Sequence, residues 1–125
     1  MTRHRQNIIE VLQKADIPLN TSQVHKRCPD KPDLATVYRN LQALENGGQA
    51  ESFVFDCDDT GVERYYIKSG DSHRHYLHCR ECHQFFPLHF CPLDTVLKEV
   101  EENHNFTILQ HFFTIKGICG ACKGL

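Results

Sequence analysis

Apolar residues recur at three- and four-residue spacing near the start of the chain, at Ile8, Val11, Leu12 and Ala15. That period predicts a helix, and Pro18 in "DIPLN" cannot continue it. A shorter apolar face, Val24 with Cys28, predicts a second helix with Asn20 or Thr21 as its N-cap and "CPDKP" as its stop. The third stretch, "PDLATVYRNLQALENGG", places Leu34, Val37, Leu41 and Leu44 on one stripe and ends at Gly47 and Gly48. Its opposite face centres on Arg39 among Ala35, Thr36, Gln42 and Ala43, so small residues leave that face flat and approachable. Tyr38 lies at the edge of the stripe, where its ring can pack inward or meet a nucleic-acid base.

After the glycines the pattern changes. "ESFVF" and "ERYYI" are rich in aromatic and β-branched residues, and "DCDDTG" between them supplies turn formers, which predicts a hairpin. Three short helices and a hairpin are the order of a winged helix-turn-helix, whose third helix enters the major groove of DNA. "KSGD", Lys68 to Asp71, marks a hinge by composition and divides the chain into residues 1–68 and 69–125. The second part shows strand-like "HYLHC" and "CHQFF", and an amphipathic helix from Pro92 through Leu93, Val96, Leu97 and Val100. A strand "FTILQHFFTI" precedes the closing "CGACKGL". The predicted class is α+β in two small domains.

Composition narrows what such a chain does. With 125 residues, 40% hydrophobic and 24% charged, it has the balance of a soluble globular protein, and its apolar runs are too short to cross a bilayer. "MTRHRQNIIE" lacks the apolar stretch of a secretory signal, so a cytoplasmic location is expected. Thiols stay reduced there, and the seven cysteines, an odd number, are then more apt to hold metal than to pair. Residues 1–50 carry seven Lys/Arg against five Asp/Glu, whereas the remainder carries seven against eleven. Only the first half favours a polyanion.

The chemistry concentrates in the second half. Cys79-x-x-Cys82 and Cys119-x-x-Cys122 are two knuckles that together offer four thiolates, the closed tetrahedral shell of a structural zinc site. Such a shell has no position open to a substrate. Histidine is dense over the same region, at His73, His75, His78, His83, His89, His104 and His111. His73 and His75 alternate on a strand and can chelate one ion, and His111 lies in an apolar strand where burial without a partner is costly. His89, Cys91 and Cys57 are further candidates, while His4, His25 and His104 read as surface or satisfied core residues.

Together these motifs resemble a known family. "LATVYRNLQAL" at 34–44, an HxH pair before the first knuckle, a histidine eight residues before Cys119, and the closing knuckle are similar to the ferric-uptake-regulator superfamily of bacterial metal-dependent repressors. The resemblance spans nearly the whole chain. It implies a homodimer, an N-terminal winged-helix DNA-binding domain, a small α/β dimerisation domain, and a metal that fixes the dimer to fit two operator half-sites. It also implies one structural zinc per chain on Cys79, Cys82, Cys119 and Cys122. Major-groove contacts would fall to Tyr38 and Arg39, with Thr36 at the helix start and Arg5 of "TRHR" on the DNA backbone. The sequence starts at that "TxxR" position, and the resemblance leads one to expect a further helix ahead of it.

Departures from the family pattern bear on the metal. Iron and peroxide sensors use a histidine where this chain has Pro18, a carboxylate where it has Tyr66, and an acid where it has Pro87. His83 stands where the family has a glycine. Loss of oxygen donors and retention of nitrogen and sulfur favour zinc as the second, regulatory ion, drawn from His73, His75, His89, Cys91, His111 and Cys57. The expected function is a zinc-sensing repressor of metal uptake genes that binds an inverted-repeat duplex, with no membrane or small-molecule substrate. The rival readings are an iron-, manganese- or peroxide-sensing member of the superfamily, and a zinc buffer without DNA recognition. A zinc hydrolase using Glu81 or Asp94 as base leaves the "TVYRN" helix without a purpose.

Overall fold

The computed structural model describes residues 2–70 and 75–124. It divides into two compact units, Met1–Gly70 and Asp71–Leu125.

The first unit is built from α1 (Arg3–Ala15), α2 (Thr21–Arg27), α3 (Leu34–Asn46) and a hairpin of β1 (Ala50–Cys57) and β2 (Gly61–Lys68). Each helix start carries its own signal. Thr2 caps α1, and Asn20 caps α2 in a reciprocal box with Gln23. Asp33 caps α3 through the Thr36 amide at 2.7 Å. The Thr36 hydroxyl and amide hold the Asp33 carboxyl below the usual carboxylate range. α3 stops where Gly48, at φ +77°, takes the left-handed conformation that lets the Gln49 amide reach back to the Leu44 carbonyl at 2.8 Å.

Ile8, Leu12, Val24, Val37, Leu41 and Leu44 meet in one buried cluster closed by Ala50 and Tyr66 of the hairpin. A bridge between Leu19 and Tyr66 ties the turn before α2 to β2. Leu34 departs from the expected stripe, being 51% exposed. It is the first residue of α3, a full turn ahead of the point where the helix meets the core.

The second unit has a three-stranded sheet in the order β4-β3-β5, with β3 at His75–Cys79, β4 at Phe85–Leu88 and β5 at Thr114–Gly117. β4 runs antiparallel to β3, and β5 runs parallel to it. Pro87 sits in β4, an edge strand, where its missing N–H costs no ladder bond on the outer side. α4 (Asp94–His104) and the one-turn α5 (Gly120–Lys123) complete the unit.

Two sequence expectations are corrected here. The strand anticipated across "FTILQHFFTI" forms only from Thr114, where β3 supplies a parallel partner; residues 106–113 pair with no strand among the described residues. The amphipathic helix begins at Asp94 rather than Pro92 and buries none of its residues. Val96, Val100, Phe106, Leu109 and Phe112 are all exposed, Leu109 to 91%. Apolar surface on this scale marks an interaction face.

Leu41 is fully buried at the centre of the first unit. Leu41→Ala is expected to destabilise that unit by about 2–5 kcal/mol, read as a lower urea midpoint at unchanged slope. A cost below about 1 kcal/mol would place the core elsewhere.

Candidate metal centres and nucleic-acid face

The two knuckles meet. Cys79 closes β3, the tight turn at Arg80–Cys82 brings round Cys82, and α5 starts with Cys119 as N-cap and Cys122 one turn on. All four Sγ atoms lie within 4.8 Å of one another. The Cys82–Cys119 separation of 3.9 Å is close to the ~3.8 Å edge of a tetrahedron with zinc–sulfur bonds of ~2.3 Å. His83 follows the first knuckle at φ +61°, in the left-handed region that glycine adopts without strain.

The thiols do not tolerate one another as anions. Backbone N–H groups of Cys82 (3.5 Å) and Cys119 (3.3 Å) donate to Cys79 Sγ and hold that thiol down to about 6. Cys122 is pushed up to about 12 by the neighbouring Cys119 thiol first, and by burial and the other two cysteines. One thiolate is ready-made while another resists ionising, which is the electrostatic signature of a donor set shaped for a cation. Four sulfurs within 4.8 Å of one another fit a structural zinc site.

A second group converges at the other end of β3. His75, Cys91 and His111 place one donor atom each within 4.8 Å of the others. Cys91 Sγ lies 3.4 Å from His111 Nε2, against the ~3.6 Å expected for nitrogen and sulfur on one tetrahedral zinc. The parallel register of β3 and β5, Tyr76 opposite Thr114, sets His75 level with Phe113. Their rings stack with centroids 3.8 Å apart, and the His111 ring lies 5.0 Å from that of His75. His75 is buried and the other two are half-buried.

Of the remaining candidates, His89 is exposed and does not join either group among the described residues. His73 lies outside the described residues. Cys57 is buried at the end of β1, in the first unit. His78, left without a role by the sequence, is buried beside Phe85.

The exposed face of α3 carries Tyr38, Arg39 and Gln42, with Thr36 half-buried beside them. Tyr38 is 48% exposed and lines an open cleft with Ser22 and Arg64, so its ring is no part of the core. Gln42 donates to the Tyr38 hydroxyl at 2.9 Å, and Arg39 donates to the Thr36 hydroxyl at 3.3 Å. Arg5 Nε donates to Asn40 Oδ1 at 2.9 Å, and Asn40 in turn donates to the Thr36 carbonyl at 2.8 Å. Sequence reasoning missed Asn40, because nothing in "YRNL" says that this amide ties α1 to α3.

The family model for the ferric uptake regulator family matches residues 1–116. The chain belongs to the ferric uptake regulator family. Among its relatives, the ferric uptake regulation protein of Bacillus subtilis is 32% identical over 130 residues, covering 99% of this chain and 85% of its own length. The zinc uptake regulation protein of Mycobacterium tuberculosis is 29% identical over 125 residues, covering 98% and 93%. The fold agrees with that of the Vibrio cholerae ferric uptake regulator at a TM-score of 0.80 and 24% identity, over 95% of this chain and 91% of the other. The Helicobacter pylori ferric uptake regulator gives 0.81 at 20% identity, over 98% and 81%. Ferric uptake regulator family proteins are metal-responsive transcription regulators, dimeric and DNA-binding, and not enzymes. No described helix of this member is long and apolar enough to cross a membrane.

Two outcomes follow from this geometry. Cys122→Ser removes one of four donors, so chelator dialysis is expected to strip zinc from the variant while the parent retains one per chain; equal retention would refute the four-sulfur shell. Arg5→Ala and Asn40→Ala should each cost about 1 kcal/mol in urea, and the double variant no more than either single one. Additive losses would mean that the two residues act separately.

Proposed function

We propose that this protein is a zinc-sensing, DNA-binding repressor of metal uptake genes, acting in the cytoplasm as a homodimer. The observation that carries the metal assignment is the convergence of His75, Cys91 and His111: two nitrogens and a sulfur, with no oxygen donor among the described residues. Soft thiolate and imidazole ligands suit zinc, whereas manganese is served by carboxylate, carbonyl and water. This group is the regulatory site, with His73 as a further donor two residues before His75. The four cysteines Cys79, Cys82, Cys119 and Cys122 are the structural site. His89 and Cys57 are the weaker members of the proposed regulatory set.

The residues divide the work. His75 is held by the strand pairing of β3, His111 lies three residues before β5, and Cys91 comes from the loop ahead of α4, so a shared ion would fasten both of these segments to the sheet. On the DNA side Arg39 reads base edges, Tyr38 offers a ring to thymine methyl groups, and Thr36 helps to hold Arg39 in place. Arg5, anchored on Asn40, brings positive charge to the same side of α3 and serves the phosphate backbone. Two copies would present two such helices, so the operator is an inverted repeat with phosphate contacts dominating affinity.

The second copy has a place to go. α4 buries nothing within its own chain, and residues 106–113 are without a strand partner among the described residues. A partner chain covering Val96, Val100, Leu109 and Phe112 would supply the core that this unit lacks. Leu109→Asp with Phe112→Asp is expected to give a monomer in sedimentation; a dimer of unchanged strength would move the interface elsewhere.

The test of function is selection from random-sequence duplexes by the full chain at rising free zinc. An inverted repeat enriched only with zinc is expected, and Arg39→Ala should cost about 1–3 kcal/mol on that sequence while sparing weak binding to unrelated duplexes. A chain that takes up zinc but enriches no sequence would be a buffer, and enrichment by manganese or ferrous ion ahead of zinc would overturn the metal assignment.

A further inference from the structure

Three described donors converge at the proposed regulatory site, and one of them has redox chemistry that the other two lack. Cys91 is half-buried, on the loop between exposed Phe90 and exposed Pro92. Its Sγ is 3.4 Å from His111 Nε2, and it is the single sulfur of its group. The knuckle site shares that half-burial at Cys82, Cys119 and Cys122 and differs in its number of sulfurs. Its Cys79 is 2% exposed and receives backbone N–H bonds from Cys82 and Cys119, and four sulfurs share the ion there. Loss of one donor in four leaves three thiolates; loss of the one sulfur in the other group leaves only neutral nitrogens.

We infer that Cys91 is a peroxide-modifiable ligand, so that the regulatory site is emptied by oxidant while the structural site persists. This inference rests on the reading of His75, Cys91 and His111 as a zinc site. Oxidation of a cysteine requires access to its sulfur, and Cys91 lies on a loop whose flanking residues are exposed. The Cys91 thiolate attacks one oxygen of hydrogen peroxide; the O–O bond breaks as an S–O bond forms. Sulfur is oxidised by two electrons to the sulfenic acid, and the other oxygen leaves as hydroxide, which takes a proton from solvent and becomes water. The sulfenic acid is no longer an anionic donor. His75 and His111 then remain without the charge that a divalent cation requires for tight binding. The device reads two conditions through one ligand set: zinc must be present, and Cys91 must be reduced.

The experiment uses the full chain loaded with two zinc ions per chain under reducing conditions and then freed of reductant. Hydrogen peroxide is added at a small molar excess, zinc release is followed with a chromogenic chelator, and sulfenic acid is trapped with dimedone and located by peptide mass spectrometry. One zinc per chain is expected to leave at the rate at which Cys91 acquires the label, ahead of Cys79, Cys82, Cys119 and Cys122. Cys91→Asp keeps an anionic ligand without an oxidisable atom, and its second zinc should stay bound through the same treatment. Label on the knuckle cysteines first, or loss of the second zinc with Cys91 unlabelled, would overturn the inference. A zinc count of one before peroxide is added would instead overturn the underlying metal reading, and the two failures are thereby told apart. Should Cys91→Asp bind only one zinc, the order of labelling in the parent chain still decides.

Discussion

Four thiols within 4.8 Å of one another cannot all ionise unless a cation stands among them, and the second unit depends on that constraint. Cys79 is held down to about 6 by two backbone amides, whereas Cys122 is pushed up to about 12 by its neighbours, Cys119 foremost. A divalent ion resolves the conflict by stabilising every thiolate together. The unit has little else to close it. Its helix α4 buries no residue, and among the described residues its sheet has three short strands with Tyr76 and Phe85 as the buried large apolar side chains. A structural zinc contributes folding free energy of ~10–16 kcal/mol in small domains, enough to serve where the apolar core is small.

β3 connects that constraint to the second donor group. Its five residues begin at His75 and end at Cys79, so one strand supplies a ligand to each cluster at opposite ends, about 13 Å apart at the usual strand rise. β5 is also shared, since residues just before it provide His111 and residues just after it provide Cys119. Closure of the knuckles fixes where β5 lies against β3, and the parallel register then sets His75 level with Phe113 and close to His111. The three-donor group is a product of the sheet as much as of its own residues.

That dependence explains what was legible beforehand. The helices of the first unit were readable because each carries its own cap, stripe and stop, and their signals are local: Asn20 with Gln23, Asp33 with Thr36, Gly48 after α3. The knuckles were readable because C-x-x-C declares its chemistry by spacing alone. Cys91 beside His75 and His111 was harder, because a parallel pairing across a long connection leaves no mark in the sequence. The nearest local signal was the HxH pair, which pointed at His73 and His75 and left His89 and Cys91 as equal further candidates. The long strand over "FTILQHFFTI" failed for a related reason. Its residues have strand propensity, but a strand exists only where another accepts its hydrogen bonds, and β3 does so only from Thr114 onward.

The same residues show why the metal of a ferric uptake regulator family member is not settled by the fold. The scaffold places β3, the loop ahead of α4 and the segment just before β5 around one point, and any ligand with the right reach can be mounted there. Here the loop contributes a thiol beside two imidazoles. Sulfur binds zinc-like ions well and manganese poorly, so one substitution of donor atom shifts the choice of ion without disturbing the backbone that holds it. Specificity in this architecture is therefore a property of three or four side chains, and the sheet beneath them can stay the same from one metal to the next.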